Sequence, residues 1–124
     1  MATNIKTLNT NEKDFFTLWL EFLKPYHKMA PKEIEVMSVL LRKRHEFSKK
    51  TTDDSLLDKL LFSRETRAEI RDEMNYETYQ VFNNMVTGLR KKGVIVGNTI
   101  NKGLIPRLEG NNFKLIFNFN INES

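Results

Sequence analysis

The sequence contains no cysteine, so neither a disulfide nor a cysteine-ligated zinc holds it together, and that composition fits the reducing cytosol. No apolar run approaches the length that spans a bilayer. The opening MATNIKTLNT lacks the basic-then-apolar layout of a signal peptide, so a cytoplasmic location without a membrane partner is expected. Histidines are scarce: only His27 and His45 occur, far apart in the chain. Phosphate-cradling glycine loops, nucleophile elbows and metal-ligand spacings are all missing. The chain is therefore not expected to be an enzyme or to hold a metal or cofactor. Asp53 and Asp54 stand together, but no further acid or histidine is placed to work with them, and adjacent acids before an apolar segment read as helix caps.

What is present is the composition of an ordinary globular protein, 40% apolar and 29% charged, in 124 residues that suffice for one core. Residues 1–9 read as a flexible terminus and residues 10–121 as one domain. The net charge of +4 is unevenly spread. Residues 25–50 carry seven basic and three acidic groups, residues 51–89 four and eight, and residues 90–124 six and two. Basic segments thus flank an acidic one, and the acids of that middle segment must face away from any polyanion the flanks meet.

Taken in order, Thr10 is the expected cap of a helix through DFFTLWLEFLKPY that stops near Pro25. Its apolar residues cover more than one stripe, so two surfaces must be buried. One partner is the domain's own core around Trp19; the other is either more of that core or a second subunit, with Phe15, Phe16, Trp19 and Phe22 as the contacts of a homodimer or another protein. Pro31 then opens a second helix that runs to about Phe47. The cations Arg42, Lys43, Arg44, Lys49 and Lys50 at its end complement the helix dipole and are also available to phosphates. Asp53 or Asp54 caps a short helix bearing Leu56, Leu57, Leu60 and Leu61.

The segment from Ser63 to Gly93 organises the chain. Ser63 caps RETRAEIRDEM, Asn75 suits a left-handed turn, and a second helix is expected from Tyr76 to about Lys92. At 100° per residue Tyr79, Phe82, Met85, Val86 and Leu89 gather on one side of it. Glu77, Gln80, Asn84, Thr87 and Lys91 gather on the other. In a major groove Gln80 and Asn84 suit adenine, Thr87 a thymine methyl or phosphate, Lys91 a phosphate, and Glu77 a cytosine amino group. The same five residues also make an ordinary solvated helix face.

Gly93 ends that helix in a left-handed residue. Val94 to Val96 then reads as a strand, Gly97 to Gly103 as a flexible loop, Leu104 to Leu108 as a proline-limited edge strand, and Phe113 to Ile121 as a final strand with alternating apolar residues. Lys102, on the loop, is a candidate for phosphate or minor-groove contact. The fold expected is mostly α with a small C-terminal antiparallel β wing: helix-turn-helix over 63–93, wing over 94–121, and an extra N-terminal helix.

These residues resemble the winged helix-turn-helix superfamily. APKEIEVMSVLL looks like the opening helix of LuxR-type and sigma-region-4-like domains, and YETYQVFNNMVTGLRKKGVI looks like a recognition helix entering its wing. The resemblance covers about Pro31 to Phe119 and implies base contact through Glu77, Thr78, Gln80, Asn84 and Thr87. The departures from the pattern are an added helix around Asp54 to Phe62 and the acidic balance of the motif. Small size, lysine and asparagine usage and the lack of an effector domain look similar to small phage-encoded regulators, which would place the chain in a host cytoplasm. The function expected is sequence-specific binding of double-stranded DNA in transcription regulation, with no small-molecule effector. The competing expectation is a winged-helix interaction module within a transcription, replication or phage structural assembly.

Overall fold

The computed structural model describes residues 9–108, 113, 121 and 122. Among them the helices are α1 (Glu12–Phe22), α2 (Lys24–His27), α3 (Pro31–Ser48), α4 (Asp54–Leu61), α5 (Arg64–Glu73) and α6 (Tyr79–Lys91). A two-stranded antiparallel sheet follows, β1 (Ile95–Val96) and β2 (Thr99–Ile100), and then a 3-10 turn over Lys102–Leu104. The chain is mostly helical, with its small sheet towards the C-terminal end.

The centre of the molecule is α3. Ile34, Val36, Met37, Val39, Leu40 and Leu41 are all buried, because α1, α4 and α6 pack around this helix. Each such side chain taken from water contributes about 1.5–3 kcal/mol. Pro31 occupies the first turn of α3, where a missing N–H costs nothing, and Glu33 accepts the Ala30 N–H at 2.8 Å.

Three helix starts follow from side-chain caps. Asn11 accepts the Asp14 N–H at 2.8 Å, so the cap of α1 is Asn11 rather than Thr10. Asp53 accepts the N–H groups of Ser55 and Leu56 above α4, and Ser63 accepts that of Thr66 above α5. α1 stops at Phe22, near Pro25 as expected. Pro25 sits in the first turn of the short α2 that follows, and left-handed Lys28 (φ 55°) stops that turn. The His27 ring is buried behind this corner, donating from Nε2 to the Leu20 carbonyl (2.6 Å) and accepting the Met29 N–H at Nδ1 (2.9 Å).

The aromatic face of α1 turns inwards. Phe16 is 1% and Trp19 8% exposed, so these two expected dimer contacts belong to the chain's own core. Trp19 donates its indole N–H to the Leu104 carbonyl at 2.8 Å, and the Phe113 ring stands edge-on to both Trp19 (5.2 Å) and Phe15 (5.3 Å). Of the four proposed contacts, Phe22 is the one left exposed. Phe15 is partly buried.

The expected wing is redrawn. The sheet closes across Gly97-Asn98, with Ile95 opposite Ile100 and Val96 opposite Thr99, so the segment read as a flexible loop contains the second strand. Gly97 (φ 63°) supplies the positive φ that a two-residue hairpin turn needs at its first position. The edge strand expected over Leu104–Leu108 is absent. The Asn101 side chain accepts the Gly103 N–H and Trp19 takes the Leu104 carbonyl, which curls Lys102–Leu104 into a 3-10 turn. The final strand over 113–121 lies outside the described residues except for Phe113 and an exposed Ile121. The flexible terminus expected over 1–9 likewise lies almost wholly outside them.

Candidate nucleic-acid interface

Two matched helix ends set the position of α6. At the end of α5, Asn75 takes φ 56°, with Tyr76 N–H bonded to the Arg71 carbonyl and Asn75 N–H to that of Asp72. At the end of α6, Gly93 takes φ 74°, with Val94 N–H bonded to the Leu89 carbonyl and Gly93 N–H to that of Arg90. Both are Schellman closures, which require a left-handed residue and satisfy carbonyls the helix leaves open.

Between them, Arg71 holds the turn. Its Nε donates to the Tyr76 carbonyl (3.2 Å), its Nη2 to that of Glu77 (3.1 Å), and its guanidinium lies 4.9 Å from the centre of the Tyr79 ring. Because those two carbonyls are engaged by a side chain and Thr78 is extended (φ −137°, ψ 160°), the helix begins at Tyr79 and not at Tyr76. Glu77 and Thr78 therefore lie in the turn. Tyr79, expected among the core anchors, is 43% exposed, its ring instead under Arg71.

Phe82, Val86 and Leu89 bury one side of α6, and the other side presents Gln80, Asn83, Asn84, Thr87, Arg90 and Lys91. Of the seven residues singled out in the sequence for DNA contact, Gln80, Asn84, Thr87 and Lys91 share this face. Gln80 Nε2 donates to Asn84 Oδ1 at 2.8 Å, and the Thr87 hydroxyl donates back to the Asn83 carbonyl at 3.0 Å. Lys102 is exposed but sits beyond β2, away from the hairpin turn where the sequence reading put it.

Arg90 was not among the residues singled out in the sequence. Its Nε donates to the Gly97 carbonyl and its Nη2 to Asn98 Oδ1, both at 2.8 Å, so it ties the outer face of α6 to the hairpin turn. Both acceptors are neutral, and the guanidinium keeps its charge beside Lys91. The signal was available: at 100° per residue, position 90 lies 60° from position 87.

Four of the eight acids of the middle segment face the cations of α3. Glu73 pairs with Arg42, Glu69 with Lys43 at 2.9 Å, and Asp54 with Arg44 at 3.2 Å, while Asp58 lies 3.9 Å from Arg44. Arg42, Lys43 and Arg44 thus join α4 and α5 to α3 with their side chains largely enclosed, so these three are not free for phosphate, whereas Lys49, paired with Glu12, and Lys50 stay exposed. This leaves α6, which contains no acidic residue, as an uncharged amide and hydroxyl surface ending in two cations.

Burial pushes the Glu33 carboxyl up, but hydrogen bonds from Lys92 and the Ala30 N–H, with the charge of Lys92, outweigh burial and hold it below its ordinary value. No helix among the described residues is long and apolar enough to cross a membrane. Compared with known proteins, the chain matches no protein-family model, no curated protein and no solved structure.

Proposed function

We propose that this chain is a winged helix-turn-helix protein that binds double-stranded DNA in transcription regulation, with α6 in the major groove and the hairpin over Ile95–Ile100 as its wing. The observation that carries this reading is the joined surface of α6 and the hairpin turn. Gln80, Asn84 and Thr87 offer amide and hydroxyl groups suited to base edges, and Arg90 and Lys91 offer charge to phosphates. The pairing of Glu69 and Glu73 with the cations of α3 supports it further, because those acids compensate protein charge. With it goes the cytoplasm, or a host's cytoplasm for a viral chain, as the place of action.

The competing reading is a protein-interaction module, favoured by Phe22 (49% exposed) and Tyr26 (81% exposed) at the α1–α2 corner. Salt separates the two, since phosphate contacts weaken steeply as salt rises and apolar contacts do not. In fluorescence anisotropy with a labelled AT-rich duplex at two salt concentrations, DNA binding predicts salt-sensitive binding that Gln80→Ala/Asn84→Ala/Lys91→Ala removes. Failure to bind at the lower salt rejects it in favour of a protein partner at the α1–α2 corner.

A further inference from the structure

We infer that Gln80 and Asn84 act as one coupled reading unit that selects a single adenine–thymine pair, and that they do not read two bases independently. The inference rests on the DNA-reading role proposed above for α6. The two side chains stand one helical turn apart on the exposed face, joined by the 2.8 Å bond from Gln80 Nε2 to Asn84 Oδ1. That bond uses one amide's NH2 group as donor and the other's carbonyl as acceptor. The groups this bond leaves wholly unengaged are the Gln80 carbonyl and the Asn84 NH2, beside one remaining N–H on Gln80 and one remaining lone pair on Asn84 Oδ1.

Reversing both amides exchanges their roles and leaves the same inventory, one carbonyl and one NH2. In the major groove adenine presents N6–H as donor and N7 as acceptor, which a carbonyl and an NH2 complement as a set. Guanine presents two acceptors, O6 and N7; the remaining N–H groups can meet them, but the unit's free carbonyl then finds no donor on that base, which sets adenine ahead of guanine. The internal bond also restrains both side chains before DNA arrives, so less conformational freedom is lost on binding. Thr87, one turn on from Asn83, has its hydroxyl already donated to the Asn83 carbonyl, which leaves its methyl as the group to meet a thymine C5-methyl.

The coupling has a signature that independent reading lacks. Removing either amide destroys the unit, so both single substitutions relax preference at the same base pair, and the double substitution adds nothing. Selection from a randomised duplex library at low salt, run with the wild-type protein, Gln80→Ala, Asn84→Ala and the double variant, reads this directly. The expected result is a wild-type site containing an adenine–thymine pair. Discrimination at that pair falls about tenfold in each single variant, and by no more in the double. Thermal midpoints should stay unchanged, because both side chains are exposed.

The inference is overturned if the single variants relax different base pairs with losses that multiply, or if the affected pair is guanine–cytosine. Salt-sensitive binding without any sequence preference also overturns it, while leaving DNA binding intact. If no duplex is retained by the wild-type protein even at low salt, the parent reading fails and this one with it.

Discussion

The ammonium of Lys92, at the close of α6, lies 2.5 Å from the carboxylate of Glu33 in the first turn of α3. The pair sits where the exposed helix meets the central one, and the Lys92 ammonium also donates to the Lys28 carbonyl at 3.2 Å. It fixes the end of α6 from which Arg90 reaches the hairpin. Because the folded carboxyl of Glu33 titrates below its ordinary value of 4.5, its contribution to stability is complete above that value and is lost as pH falls through the folded one. Glu33→Gln should therefore cost about 1 kcal/mol at pH 7. In urea melts at pH 7 and pH 3, the gap between variant and wild type should narrow at the lower pH; a gap that stays constant would separate the pair from acid stability.

Gly88 lies close against the same carboxylate. A Cβ built there meets Glu33 Oε2 at 3.3 Å, tighter than an ordinary contact. Gly88→Ala should gain less than the roughly 1 kcal/mol expected of an exposed helix position. Gly88→Leu should displace the carboxylate and lower stability by about 1–3 kcal/mol. Thermal melts of both variants decide the point, and a Leu variant as stable as wild type would show that the space is not confined.

Arg71 is expected to position α6 rather than to touch DNA. Arg71→Ala removes two hydrogen bonds to the turn carbonyls and the stacking on Tyr79, at a cost of about 1–2 kcal/mol. Hydrogen exchange should accelerate over residues 76–82 and stay unchanged in α1 and α3. Uniform acceleration across the chain would mean that Arg71 supports the whole fold instead.

Asp58 has the opposite pH sign to Glu33. Burial raises its carboxyl above the ordinary 3.8, with the charge of Asp54 adding to that rise, against the charges of Arg44 and Lys102 and a hydrogen bond from Thr99. Its Oδ1 and the Arg44 Nε both lack a hydrogen-bond partner among the described residues. Stability from this group is present below its unfolded value and lost as pH rises through the folded one. Asp58→Asn should leave stability unchanged or raise it by up to about 1 kcal/mol at pH 7, with the difference gone at pH 3. Destabilisation at pH 7 would show that the pair with Arg44 outweighs the burial cost.

The helices and their ends were legible where local chemistry decides them. Pro31, Ser63, Asn75 and Gly93 each mark a boundary through their own backbone or side-chain preference, and the structure places all four in that role. Long-range partners decided what the sequence hid. Trp19 reads as a possible subunit contact until Leu104, 85 residues away, supplies its carbonyl. Leu104–Leu108 reads as a strand by composition, yet that same bond and the Asn101 turn bend its first residues. Arg42, Lys43 and Arg44 read as cations for the helix dipole or for phosphate, and their ion pairs were hidden because the acids arrive from α4 and α5. The outward face of α6 was legible through its period alone, whereas the link from Arg90 to Asn98 depends on a hairpin whose turn the sequence reading had misplaced.

The measurement that tests the central claim most directly is a backbone amide NMR titration of the protein with an AT-rich duplex at low salt. DNA binding through α6 predicts chemical-shift changes concentrated at residues 79–91 and at Gly97 and Asn98, reversed by added salt. Shift changes confined to the α1–α2 corner, or none at all, would contradict it.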